Sequence, residues 1–363
     1  MKLLLVTINI FILFSINAQQ TNQSMTIGGV SRTYVQYLPV GFSSATENLP
    51  LVVVLHGLGG TGTQMALAGF EQIGDTARFI SVYPQGLLNG FSQTSWNSGL
   101  PSFGSTADDL GFLNQLLDDM IATYNVDASR IYFTGFSMGS IMSYHMACQM
   151  NDRITAIGCM AGTMTSTDVS SCVPSYQTPV IHLHGTADGT VPYNGTTGLS
   201  SVAASVNFWR NIHSCASTSD STRMPDTAAD AITVDRFVYQ SCSPIESVEL
   251  WRFNGADHIY LYQPVNDITE SVEIWKFFLK WQKNTSGLTE NKSPSISISP
   301  NPSEGVINVE SSYNSSFFIY STLGEIVANG QLSIGENKIN LSHLNSGVYL
   351  IKMGDVVNRF VIK

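Results

Sequence analysis

Three residues able to run acyl-transfer chemistry follow one another along the chain: Ser137, Asp188 and His258. Each sits in a glycine-containing segment just after a stretch that reads as a β-strand. Ser137 lies in Gly135-Phe136-Ser137-Met138-Gly139, between the β-branched and aromatic run Ile131–Thr134 and an apolar segment from Met138 to about Met150. G-x-S-x-G between a strand and a helix is the pattern of a sharp, strained turn that lifts a serine hydroxyl clear of a sheet. Gly135 and Gly139 then leave room where a Cβ would clash. The following helix brings its N-terminal dipole, and the Met138 N–H, to the place where an oxyanion would form on a substrate attacked by Ser137.

Asp188 ends the run His184-Gly185-Thr186-Ala187-Asp188, in a turn after the strand Val180–His184. Asp-Gly is also an ordinary turn signal, and the neighbouring Gly, Thr and Pro fit either reading. His258 ends Asn254-Gly255-Ala256-Asp257-His258, after the strand Glu249–Phe253. In this arrangement the imidazole takes the proton from the serine, and the carboxylate fixes its tautomer and stabilises its charged form. Asp257 is adjacent to His258 and poorly placed to orient it, so Asp188 is the expected acid. The other six histidines fit the role less well: His56 is in a glycine-rich loop, His145 and His213 are on helices, His182 is mid-strand, His184 precedes the acid and His343 lies in the tail. The acidic pair Asp108-Asp109 precedes the serine strand and reads as a charged helix start rather than as the acid.

A second oxyanion donor is expected after the apolar run Leu51–Leu55, in His56-Gly57-Leu58-Gly59-Gly60, where the Leu58 N–H complements that of Met138. Trp96, in the polar loop Phe91–Ser102, is either a core plug or a platform for a flat substrate, and it is carried as a candidate substrate contact. No metal cluster, phosphate loop or nucleotide fingerprint is present in the sequence, so no cofactor and no metal are expected.

These residues need a scaffold that brings several strand ends to one edge. The continuous apolar run Leu51–Leu55 reads as a central parallel strand buried on both faces, Ile80–Tyr83 as the next buried strand, and Ile154–Met160 and Val180–His184 as two more strands. Helices are expected at Asp108–Tyr124, Met138–Met150, Ser200–His213 and Ile268–Gln282. A hairpin is expected over Ser24–Leu38. The sequence therefore predicts an α/β class chain with a doubly wound, mostly parallel sheet. The polar stretch Ser214–Cys242 reads as an irregular excursion stapled by a Cys215–Cys242 disulfide.

Composition narrows the function classes. The chain has 363 residues, 43% hydrophobic, with a net charge of −10 and no basic run, so nucleic acid is not an expected partner. Charged residues are only 12%, and the five cysteines suit an oxidising compartment. Met1-Lys2, the apolar run Leu3–Phe14 and the small residue Ala18 read as a secretory signal peptide over 1–18, too short to span a bilayer. No span is expected elsewhere. A catalytic domain over 19–283, a polar linker over 284–295 and a small all-β sandwich over 296–363 complete the expected organisation, with the protein a monomer.

Residues 25–283 resemble the secreted feruloyl esterases and polyhydroxybutyrate depolymerase-like proteins, relatives of family-one carbohydrate esterases. His56–Gly60, Asp108-Asp109-Leu110-Gly111-Phe112, Gly135–Gly139 and His184–Asp188 carry the likeness. It implies an α/β-hydrolase fold and Ser137, Asp188 and His258 as the triad. It also implies a Cys148–Cys172 bridge, which leaves Cys159 free. The family often follows its base with a Trp-Pro pair. Here Ile259-Tyr260 follows His258, which makes Tyr260 a candidate for an altered pocket wall.

In the tail, Ser299-Pro300-Asn301-Pro302, Tyr320-Ser321-Thr322-Leu323-Gly324 and Leu344-Asn345-Ser346-Gly347-Val348-Tyr349 resemble the C-terminal sorting domain of the type IX secretion system. That likeness implies export through the type IX machinery, by way of the periplasm, to the exterior or the cell surface. A carbohydrate-binding module is the competing reading. The expected activity is ester hydrolysis, on feruloyl or acetyl esters of plant cell-wall polysaccharide or on aliphatic polyesters. A peptidase and a non-catalytic binding protein are the alternatives.

Overall fold

A computed structural model of the chain describes residues 19–100, 103–283, 297–311, 315–321, 326–333, 335–353 and 356–363. The expected signal peptide and linker lie outside the described residues. The chain divides into two compact units, Met1–Lys283 and Asn284–Lys363.

The first unit is built on a ten-stranded sheet of order β1-β2-β4-β3-β5-β6-β7-β10-β9-β8. Its centre is β3 (Leu49–Leu55), β4 (Ile80–Pro84), β5 (Val126–Phe136), β6 (Ala156–Met160), β7 (Val180–Gly185) and β10 (Val248–Asn254), all parallel. Every residue of β3 is buried, as an apolar strand covered on both faces must be. The hairpin β1 (Gln20–Ile27) and β2 (Val30–Tyr37) joins antiparallel to β4.

Two layers of helix cover the sheet, besides the short helices α1 (Gly62–Met65) and α5 (Ser166–Ser171). On one face α3 (Asp109–Tyr124), α4 (Met138–Gln149) and α6 (Val202–Ile212) pack Phe112, Leu116, Met142 and Trp209 against Leu51, Val53, Phe133 and Ile157. On the other, α2 (Phe70–Ala77) and α7 (Glu270–Phe278) pack Phe70, Ile274 and Trp275 against Val52, Val54, Tyr132 and Leu183. Alternate residues of one strand thus feed opposite cores.

The stretch Ser214–Cys242 differs from expectation. The Cys215–Cys242 bridge is present, but the segment is no irregular excursion. It forms β8 (Ser219–Arg223) and β9 (Thr233–Tyr239), which extend the sheet antiparallel beyond β10. The polar composition misled because an edge hairpin buries little: all of β8 but Ser219 is exposed. Cys148 and Cys172 are also bridged, and Cys159 is free and buried in β6.

In the second unit, a three-stranded sheet (Ser297–Ser299, Val306–Ser311, Gly335–Asn340) and a four-stranded sheet (Ser315–Ser321, Ile326–Leu332, Gly347–Met353, Val356–Ile362) share one core. Ile307, Val309, Ile319, Ile351 and Phe360 fill it. Among the described residues no helix is long and apolar enough to cross a membrane.

Candidate active site

Because β3, β5, β7 and β10 run parallel, their carboxyl ends share one edge. The loop His56–Gly60, the turn at Ser137, the turn at Asp188 and the loop carrying His258 all project there. Ser137 leaves β5 with φ 57° and ψ −119° before α4 begins. Such a conformation costs a non-glycine residue about 1–3 kcal/mol, and it persists because the surroundings fix it. A Cβ on Gly139 would sit 2.0 Å from the Leu55 oxygen, one on Gly135 2.5 Å from the Gly139 carbonyl carbon, and one on Gly162 2.3 Å from the Ser137 oxygen. The elbow is clamped between β3 and the end of β6.

His258 and Asp188 meet as expected: Nδ1 of His258 lies 2.7 Å from Oδ2 of Asp188. Asp188 Oδ1 accepts the Thr190 and Val191 N–H groups at 2.9 and 2.7 Å. Burial alone would raise this carboxyl. Hydrogen bonds from His184, His258 and the Val191 N–H outweigh it and hold the group well below the usual carboxylate range. With Asp188 ionised, Nδ1 of His258 carries the proton and Nε2 is left as the acceptor. The Phe136 ring packs 4.9 Å from the imidazole. Asp257 does not orient the ring. Its carboxylate accepts the Gly189 and His258 backbone N–H groups at 3.0 and 2.7 Å, tying the acid turn to the base loop.

Ser137 and His258 line one cavity of about 370 Å³, together with Gly57, Leu58, Gln64, Met65, Phe136 and Thr190. The glycine-rich loop reaches the elbow closely, since a Cβ on Gly57 would lie 3.3 Å from that of Ser137. The loop is held from behind. Gly59 N–H donates to the Thr94 carbonyl at 2.8 Å, and the Thr94 hydroxyl donates to the Gly60 carbonyl at 2.6 Å. His56 donates from Nδ1 to its neighbour's carbonyl, Gly57 O, and accepts the Gly86 N–H at Nε2. Burial pushes its pKa down to about 4, so it stays neutral. Among the described residues the Leu58 N–H has no hydrogen-bond partner. The Met138 N–H, in the first turn of α4, has no acceptor in its own helix.

Two expected substrate contacts need correction. Trp96 is completely buried; its Nε1–H donates to the His56 carbonyl at 2.8 Å and its ring packs 4.8 Å from that of His56. It is the core plug of the two readings, and it props up the Leu58 loop. Tyr260 donates its hydroxyl to the Ala68 carbonyl at 2.8 Å and accepts the Ser271 N–H. It fastens the base loop to the segment before α2 and is absent from the cavity wall.

The pair Asp108-Asp109 has a supporting task. Asp108 caps α3 by accepting the Gly111 N–H, and buried Asp109 pairs with Arg32 at 2.5 Å and accepts the Asn97 N–H at 2.7 Å. Sequence reasoning missed Gly162 and His184. Gly162 carries no local signal, because its partner, the elbow, is distant in sequence. His184 stood in plain view four residues before the acid.

An α/β sheet with a serine elbow, an acid turn and a histidine loop at its carboxyl edge defines an α/β-hydrolase. The chain belongs to the phospholipase/carboxylesterase family, which it matches over residues 40–228; residues 297–363 match the secretion system C-terminal sorting domain. The sorting domain makes this an extracellular or cell-surface protein. The chain is similar to a bifunctional acetylxylan esterase/xylanase of Neocallimastix patriciarum, 26% identical over 68% of this chain and 34% of that protein. It is also similar to feruloyl esterase B of Piromyces equi, 28% identical over 62% of this chain and 42% of that protein. Poly(3-hydroxyalkanoate) depolymerase C of Paucimonas lemoignei is 27% identical over 46% and 41% respectively. The chain spans well under half the length of these three curated relatives. The solved acetyl xylan esterase from Aspergillus awamori superposes with a TM-score of 0.52 at 16% identity, covering 71% of this chain and 98% of that one, a likeness of fold.

Proposed function

We propose that the chain is a secreted serine esterase working through Ser137, His258 and Asp188, with the Leu58 and Met138 N–H groups as the oxyanion hole. The observation that carries this reading is the 2.7 Å His258–Asp188 pair opening on the same cavity as the strained Ser137. His258 takes the serine proton as Ser137 Oγ bonds to the ester carbonyl carbon. The oxyanion points to the two N–H groups, each worth about 3 kcal/mol of barrier. The alcohol leaves with the proton from His258, and water repeats the sequence on the acyl-enzyme. The enzyme works as a monomer on an ester substrate, and the type IX machinery engages it through residues 296–363.

The preferred substrates are feruloyl or acetyl esters of plant cell-wall polysaccharide, the chemistry named for two of the relatives. Aliphatic polyester is the second reading. Leu67 and Ile259 support it: both are exposed apolar side chains, two positions after Met65 and one after His258 in the chain, and Met65 and His258 line the cavity. The test is turnover of p-nitrophenyl acetate, methyl ferulate, acetylated xylan and a 3-hydroxybutyrate oligomer, with Ser137→Ala as the blank. Ferulate or xylan turnover supports the cell-wall reading, and turnover of the oligomer alone moves the protein to polyesters. Equal rates with Ser137→Ala would sink the serine mechanism.

A further inference from the structure

Behind the acid lies a line of polar side chains that the triad does not use. Tyr144 on α4 and His182 and His184 on β7 are all completely buried. Tyr144 Oη is 2.8 Å from His182 Nδ1, and His182 Nε2 is 3.2 Å from His184 Nδ1. His184 Nε2 is 2.8 Å from the Val191 carbonyl and 3.3 Å from Asp188 Oδ2.

With His184 neutral, the chemistry of these atoms fixes where each proton sits. A carbonyl oxygen and an ionised carboxylate only accept, so His184 Nε2 must carry its hydrogen. In a neutral imidazole Nδ1 is then bare and needs a donor, which can only be His182 Nε2–H. His182 Nδ1 is bare in turn and accepts the Tyr144 hydroxyl. Donation therefore runs one way, from Tyr144 through both imidazoles to the acid turn, and each link removes the tautomer that would reverse the next. Burial, with His184 adjacent, keeps His182 neutral by pushing its pKa well down.

We propose that His184 is a positioning residue for the triad acid, its Nε2–H locked toward Asp188 and the Val191 carbonyl by the Tyr144–His182 relay. The Val191 bond is the shorter arm. It holds the turn whose Val191 N–H already grips Asp188 Oδ1, so one imidazole fixes both the backbone and the free side of the carboxylate. The Asp188 carboxylate is then held from three fixed directions, by the Thr190 and Val191 N–H groups at Oδ1 and by His184 at Oδ2, and its remaining freedom is toward His258. This inference rests on the triad reading above.

The experiment has a substrate-free arm and a kinetic arm. In the wild-type protein, ¹⁵N imidazole spectra at neutral pH should show His182 and His184 both protonated at Nε2 and bare at Nδ1. A protonated Nδ1 on His184 overturns the proposal whether or not any variant folds. In the kinetic arm, His184→Phe should lower kcat by about tenfold to a hundredfold, as a small misplacement of the acid would, with KM changed by less than about twofold. The downfield Nδ1–H proton of His258 should shift or broaden in that variant. His184→Gln, which can accept from His182 and donate to Val191 and Asp188, should restore most of kcat and the proton signal. A residue that merely filled space would lower the melting temperature and leave kcat and the His258 proton in place, and that result overturns the proposal. So does a glutamine variant no better than phenylalanine. Should wild-type turnover prove independent of Ser137, the esterase reading falls and the spectra still decide the relay.

Discussion

Replacing Asp188 by asparagine exchanges one oxygen for an amide nitrogen, and every group around that carboxylate is a donor. Oδ1 takes two backbone N–H groups, from Thr190 and Val191, and Oδ2 faces His258 Nδ1 and His184 Nε2. The single oxygen of asparagine satisfies one side only. Two short backbone bonds, each worth about 1 kcal/mol net, keep it on the Oδ1 side. The amide NH₂ then confronts His258, which must take its Nε2–H tautomer to offer a bare Nδ1. A ring in that form has no acceptor for the serine proton. The expected loss in kcat is about 10⁴-fold, the size seen when a triad aspartate becomes asparagine on another fold. At 1.36 kcal/mol per decade that is about 5.4 kcal/mol of barrier. The assay is steady-state hydrolysis of p-nitrophenyl acetate at neutral pH, with Ser137→Ala as the floor. Asp257→Asn is the control, expected near wild type because an amide oxygen still accepts the Gly189 and His258 N–H groups. Retention of more than about a tenth of kcat by Asp188→Asn would refute the reasoning.

Three further outcomes are expected. Burial pushes the Glu270 carboxyl up to about 8, against the Leu261 N–H that donates to it. The folded chain therefore keeps a proton that the unfolded chain releases near about 4.3, so stability is full below that value and falls as pH rises through about 8. Glu270→Gln keeps an acceptor and stays neutral; its melting temperature should exceed that of wild type above about pH 8, and parallel curves would contradict the assignment. Trp96→Phe should cost about 1–3 kcal/mol in urea unfolding, through the lost bond to the His56 carbonyl, and leave KM for a feruloyl ester within about twofold. A large rise in KM at unchanged stability would return Trp96 to the substrate wall. Gly139→Ala places a methyl group against the Leu55 oxygen and should cost more than about 3 kcal/mol, read by urea unfolding and by loss of Ser137 labelling with a fluorophosphonate; a stable, labelled variant would show that the elbow has slack.

The site was legible where its chemistry is local. An elbow serine, an acid turn and a base loop each announce themselves by a few residues at a strand's end, and an all-buried strand such as β3 reads directly from its apolar run. What escaped depends on partners remote in sequence. Trp96 sits in a polar loop, yet its indole serves a carbonyl forty positions earlier. Tyr260 follows the base, yet its hydroxyl turns to the segment before α2. The edge strands β8 and β9 bury too few side chains to show alternation. His182 and His184 looked like strand interior, because the order of donors along them exists only once Tyr144 of α4 reaches His182.

The two disulfides carry a consequence for maturation outside the cytoplasm. They join 148 to 172 and 215 to 242, in separate stretches that neither overlap nor enclose one another. A chain emerging from its amino end can close the first before the second has left the channel, so neither bridge has to wait for the other. The fifth cysteine, Cys159, falls inside the first loop, where it is a competitor for either partner of that bridge. Its position in β6, between β5 and β7, withdraws it from that competition as soon as the sheet assembles, which makes early sheet formation the safeguard of correct pairing.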